Sequence, residues 1–286
     1  MDVAGSAQQA QGPRRPSQTG RYRPPKRQGQ PVWLVPLVVL GALIVVVLAY
    51  FAQRGSKGAQ ATAAETASVL AATTTVPPAA WDGAGAVGAT APALVPAAQR
   101  TAGAPTLLYM GGEFCPYCAA ERWVLVSSLS RFGSFSGLQL ITSSSTDIFP
   151  NTPTFGFAAA KYQSPTIHVQ TVEMYNRSDQ ALQTPTAAQT ALLNKYDTSG
   201  DIPFILVGGQ YVWSTGSQYS PGLLAGLSWT KVAGQLASGT SLGKTILANG
   251  NVISAAICSV DGGKPASVCQ SAGVQAGAAL LPKGPA

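Results

Sequence analysis

Thr106-Leu-Leu-Tyr-Met-Gly-Gly-Glu-Phe-Cys-Pro-Tyr-Cys-Ala-Ala-Glu-Arg-Trp123 is the stretch on which the fold turns. Its first five residues form an apolar run of strand length, closed by Gly111-Gly112. From Ala119 to Arg131, apolar residues recur at Trp123, Val126 and Leu129, with Leu125 beside them. That spacing predicts a helix, which Gly133 ends. Two cysteines stand at the junction. Cys115 falls at or beside the helix N-cap, and Pro116 at the first helical position, where its missing N–H costs nothing. The unpaired amides and dipole of a helix start favour a thiolate there, and the thiolate is the nucleophile in disulfide exchange. Cys118, one turn further in, points inward and is placed to resolve a mixed disulfide. A bond closing so short a loop constrains little chain entropy. The pair therefore reads as redox chemistry, against two competing readings, a structural disulfide and a metal site.

The flanking sequence continues the pattern. Leu138–Thr142 reads as a second strand, residues 143–153 as a loop, and Thr154–Phe157 and Thr166–Tyr175 as strand pieces. Thr186–Tyr196 reads as a helix, and Phe204–Val207 with Tyr211–Trp213 as a hairpin around Gly208-Gly209-Gln210. Leu223–Leu236 and Leu242–Val260 read as helices, the latter interrupted at Gly250. The other two cysteines, Cys258 and Cys269, lie between a helix end and a short turn and read as a structural disulfide tethering the C-terminus. A shuttle pair serving Cys115–Cys118 is the sharper alternative. A four-cysteine zinc site lacks a second short-spaced pair.

Composition bounds the rest. The chain has 286 residues, a net charge of +7 and only 10% charged residues. A disordered chain would have fewer apolar residues and more charge. One histidine, His168, is too few for a histidine-built metal enzyme, and none lies near the Ser- and Asp-containing stretch 143–147 for a hydrolase triad; no metal and no cofactor is expected. Six of the 18 basic residues lie in residues 1–31, against Asp2 alone. The basic character thus belongs to a tail, and no basic surface argues for nucleic acid. Val32–Ala52 is uncharged and about 31 Å long as a helix, roughly one hydrocarbon core. With the cations before it, this run reads as a single-pass anchor, N-terminus cytoplasmic and the remainder outside. A cleavable signal peptide is the competing reading. The expected organisation is a disordered tail (1–31), a transmembrane helix (32–52), a flexible tether (53–74), a folded domain (75–270) and a disordered C-terminal tail (271–286). Within the domain, Pro77-Pro78 and Trp81 suggest a short helix docked on the core.

These elements resemble the thioredoxin superfamily. The resemblance is carried by the strand Leu107–Met110, the Cys115-Pro-Tyr-Cys118 helix start, and Asp201-Ile-Pro-Phe204 leading into a hairpin. A closer resemblance is to the family called domain of unknown function 929. It is carried by Gly112-Glu-Phe-Cys-Pro-Tyr-Cys-Ala-Ala-Glu-Arg-Trp123, Ser130-Arg-Phe-Gly133, Ser143-Ser-Ser-Thr-Asp-Ile-Phe-Pro-Asn-Thr-Pro153 and Lys264-Pro-Ala-Ser-Val-Cys269. The resemblance implies an α/β thioredoxin-like fold. It would carry an insertion between the second strand and the cis-proline loop, and a C-terminal helical extension. It implies that the Ile202–Pro203 bond is cis and that Ile202 and Pro203, with Pro116 and Tyr117, meet the substrate. Thioredoxin-type reductases often place a buried acid six residues before the first cysteine, as a proton relay. Here that position is Tyr109. Glu121, one turn beyond Cys118, is the candidate relay, with a surface charge near Arg122 as the plainer reading.

The expectation that follows is a membrane-tethered thiol–disulfide oxidoreductase of the bacterial envelope. It would act on cysteine-containing exported proteins and be reset by a membrane redox partner, with oxidase favoured over reductase or isomerase. The alternative is a non-catalytic binding or assembly module whose cysteine pairs are both structural.

Overall fold

The computed structural model describes residues 61–96 and 106–283. The basic tail, the apolar run 32–52 and the first part of the expected tether lie outside the described residues. Among the described residues, no helix is long and apolar enough to cross a membrane.

The protein is a mixed α/β structure. Its described helices are α1 (Ala63–Thr74), α2 (Pro78–Ala84), α3 (Pro116–Leu129), α4 (Ala187–Tyr196), α5 (Trp229–Leu236), α6 (Ser241–Val260), α7 (Ala266–Cys269) and α8 (Ala272–Ala278). The main sheet is built from β1 (Ala93–Leu94), β2 (Leu107–Gly112), β7 (Val169–Tyr175), β8 (Phe204–Val207) and β9 (Tyr211–Trp213). Its spatial order is β1-β9-β8-β2-β7. The β2–β7 pair is parallel, and the other neighbours are antiparallel. Two small ribbons stand apart. One pairs β3 (Ser134–Ser136) with β6 (Lys161–Gln163), the other β4 (Gln139–Thr142) with β5 (Pro153–Gly156).

β2 is buried along its whole length because both sheet faces are covered. Successive side chains of a strand point to opposite faces. Leu107 and Tyr109 accordingly join the core around Trp123 and Ile253. Leu108 and Met110 join a second core with Leu192 and Leu193 of α4. α3 is the central helix: every residue from Cys118 to Leu129 is buried. That leaves no solvent-facing side for Glu121 or Arg122, contrary to the surface reading of that pair.

Several expectations are corrected. Leu138–Thr142 is not the second strand of the main sheet. β4 pairs only with β5, and the parallel partner of β2 is β7. Both small ribbons lie in the segment between α3 and β7, ahead of that strand and not after it as the expected insertion was placed. The tether over 53–74 is helical from Ala63 onward. Thr62 accepts from the Glu65 amide as N-cap, and Val69 is buried. Thr230 of α5 donates to Glu65 across that contact. The C-terminal tail 271–286 holds α8, whose Gly273 amide donates to Asp82 Oδ1 at 2.8 Å. Leu223–Leu236 is divided into a 3-10 turn (Pro221–Leu224) and α5, because the Ser228 hydroxyl caps a fresh helix start. α6 runs unbroken through Gly250. A Cβ there would meet the Trp81 ring at 2.8 Å, so the glycine admits Trp81 rather than ending the helix. Trp81 itself is buried, as its docking role requires.

Candidate active site

The end of β2, the start of α3 and the loop before β8 converge on Cys115. The Cys115 carbonyl accepts from Ala119 N, and its sulfur accepts from Cys118 N at 3.2 Å. Cys115 is thus the N-cap of α3, with Pro116 in the first turn. Cys115 and Cys118 are free thiols. The Cys115 thiol is held below its ordinary value. The hydrogen bond from the Cys118 thiol does most of this, opposed by burial and helped by the Cys118 amide, the Arg122 charge and the Tyr117 amide. Cys118 has no exposed surface, and burial pushes its thiol well up. The two sulfurs are therefore unlike: one is shifted toward the thiolate, the other away from it. Cys115 keeps only 5% of its surface. The loop carrying Ile202 approaches it closely.

The Ile202–Pro203 peptide bond is cis. The Cys115 thiol donates to Ile202 O at 3.8 Å, so two of the residues singled out in sequence do meet. Tyr117 remains partly exposed and packs edge-on against Phe149, ring centroids 6.1 Å apart. Phe114 packs likewise against Tyr175 at 5.9 Å. Ile148 is strongly exposed. A groove of about 360 Å³ opens beside Phe114, with Ser144 and Ile148 in its wall. Asp147 and Asp179 also line that groove, so its wall is polar and acidic as well as aromatic.

The charges near the sulfurs come from residues that the sequence reading passed over. Arg122 has no exposed surface. It donates to Glu173 of β7 through Nε (2.8 Å) and Nη2 (2.7 Å), and through Nη2 to Gly112 O at 2.8 Å. Burial works against the guanidinium charge, but Glu173, Tyr109 and Cys118 together outweigh it and raise Arg122. Tyr109, on β2, lies with its ring 5.9 Å from the guanidinium carbon. A sequence signal for the ion pair did exist: a cation inside a helix too apolar to face water needs a buried partner.

Glu121 is buried too, but its carboxylate meets other groups. Oε2 accepts from Gln218 N at 3.0 Å, while Oε1 has no partner. Burial raises its carboxyl to about 7, partly offset by that amide. The ionisable groups that act on Cys118 are Cys115, Arg122 and Glu173. Trp123 is a core residue, its indole donating to Pro153 O at 2.8 Å.

The second cysteine pair is a disulfide, Cys258–Cys269, with Cα atoms 5.6 Å apart. It ties α6 to α7. The Lys264–Pro265 bond in the loop it closes is also cis, a feature not foreseen. Among the described residues, no group of His, Cys, Asp and Glu could hold a metal ion.

Residues 96–259, more than half of the chain, match the model of the family described as Domain of unknown function (DUF929). No curated protein and no solved structure matches the chain.

Proposed function

The chain belongs to the DUF929 family, and we propose that it is a thioredoxin-like thiol–disulfide oxidoreductase working through Cys115 and Cys118. The observation that carries this reading is the asymmetry of the two thiols. Cys115 is a helix N-cap whose sulfur accepts an amide and lies 3.8 Å from Ile202 O, while Cys118 is wholly buried one turn in. A nucleophile or electrophile at the surface end and a resolving thiol beneath it is the arrangement exchange requires. The strand order β7-β2-β8-β9, with its one parallel pair, supports a thioredoxin-like core.

In the oxidising direction, a substrate thiolate attacks Cys115 Sγ of the Cys115–Cys118 disulfide. The S–S bond breaks, and Cys118 leaves with the electron pair. A second substrate thiol gives its proton to the Cys118 thiolate and attacks the substrate sulfur of the mixed disulfide. Cys115 is released as thiolate. The substrate has lost two electrons and the enzyme has gained them. Pro116, Tyr117, Ile202 and Pro203 form the contact surface in this reading. Substrates are cysteine-containing exported proteins. Residues 32–52 hold the domain at the outer face of a bacterial cell membrane, near the redox partner that resets it.

One observation favours the non-catalytic alternative: Cys115 is only 5% exposed. Alkylation of the native, reduced, full-length chain separates the two. The enzyme reading expects rapid modification at Cys115 alone, below the pH at which free cysteine reacts. A Cys115 that reacts only on unfolding supports the structural module.

A further inference from the structure

Two polar groups near the buried sulfur of Cys118 are left without a hydrogen-bond partner. Tyr109 Oη is buried and has no partner. Arg122 Nη1 is buried and has none either, although the other guanidinium nitrogens are bonded to Glu173 and Gly112. The Cys118 thiol, engaged with Cys115, lies beside the tyrosine oxygen. Gly111 leaves the space between them: a Cβ at that position would collide with Tyr109 Oη and stand 3.1 Å from Cys118 Sγ. The tyrosine oxygen and the cysteine sulfur are therefore neighbours. Arg122 lies one turn further along α3 than Cys118, the spacing at which helix side chains face each other.

A buried donor without an acceptor costs about 1–3 kcal/mol, so two such donors on residues next to one sulfur call for a reason. A neutral thiol is a weak acceptor. A thiolate is a strong one, and bonds to a charged group are roughly twice as strong as neutral ones. The site is thus unsatisfied when Cys118 is protonated and satisfied when it is an anion. Exchange generates that anion when Cys118 is expelled.

Resting on the exchange reading above, we propose that Tyr109 Oη and the charged Arg122 guanidinium stabilise the Cys118 thiolate as it leaves or attacks. Tyr109 donates its O–H to Cys118 Sγ as negative charge builds there. Arg122 supplies a fixed positive charge that Glu173 keeps oriented. No proton is transferred by either group. The same stabilisation acts in both directions, because formation and cleavage of the Cys115–Cys118 bond share one transition state.

Tyr109→Phe removes only the hydroxyl. In the oxidised full-length protein, dithiothreitol attacks Cys115 and expels Cys118, and the rate is read by rapid acid quench at pH 7. The expected result is a rate about ten-fold below wild type, the loss of one hydrogen bond to a charged group. The melting temperature should be unchanged or higher, since an unpartnered hydroxyl leaves the core. The pH profile of Cys115 alkylation should stay in place. A rate within two-fold of wild type overturns the proposal. So does a clear fall in melting temperature, which would give the hydroxyl a structural bond instead. If the wild-type pair itself resists dithiothreitol until the protein unfolds, the exchange reading fails, and that outcome is distinct from either of these.

Discussion

Arg122 and Glu173 form a fully buried, two-pronged ion pair one helical turn from Cys118, with N···O distances of 2.8 and 2.7 Å. It joins α3 to β7, the strand lying parallel to β2. Breaking such a pair from one side leaves an uncompensated charge in the core, at a cost of about 3–5 kcal/mol. Glu173→Gln should lower unfolding stability by that order in urea titrations. Replacing both partners together with apolar residues should cost much less. Equal losses for the single and double variants would mean that the charges are not what the core depends on.

Glu121 gives the protein a pH-dependent stability of defined sign. Its carboxyl is raised to about 7 in the fold, against about 4.3 in an unfolded chain. Stability from the retained proton is fully present below the unfolded value and is lost as pH rises through 7. Glu121→Gln should therefore be close to neutral at pH 4. It should be more stable than wild type by about 3 kcal/mol at pH 8. Urea midpoints of the two proteins between pH 4 and 9 check this. Parallel curves would show that Glu121 ionises freely in the fold.

The Cys258–Cys269 bond closes a loop across 11 positions. Chain-entropy reasoning assigns it about 3 kcal/mol. Cys258→Ser with Cys269→Ser should lower the melting temperature while leaving the rate of exchange at Cys115 unchanged. A fall in exchange rate without a fall in stability would mark this pair as a shuttle.

The local chemistry of the site could be read from the sequence, because it depends on neighbours in the chain. Pro116 after Cys115 marks a helix start, and Asp201-Ile-Pro-Phe204 marks the loop that meets it. Non-local pairing could not. Val169–Tyr175 carries Gln170, Thr171 and Glu173 among its apolar residues, so it looks like a half-exposed ribbon. Only the fold shows that Glu173 answers Arg122. Leu138–Thr142 has the more convincing strand composition and is the wrong strand. The helix at Ala63–Thr74 had a signal that went unused: Thr62-Ala-Ala-Glu65 is the pattern of a capping box, hidden by bland Ala and Thr composition. α8 docks through the Gly273 amide on Asp82, 191 residues away, and through Gly273 and Gly277 against Asn251, and no local pattern announces it.

Cys115 and Cys118 should exchange reversibly in the folded protein. The direct measurement equilibrates the native full-length chain with glutathione redox buffers and counts alkylated cysteines by mass. The expected result is one two-electron transition confined to Cys115–Cys118. Its midpoint should lie near roughly −200 to −230 mV, the range of glutaredoxins, whose Pro-Tyr dipeptide this pair shares. Cys258–Cys269 should stay oxidised throughout. A Cys115–Cys118 pair that changes state only when the domain unfolds would contradict reversible exchange.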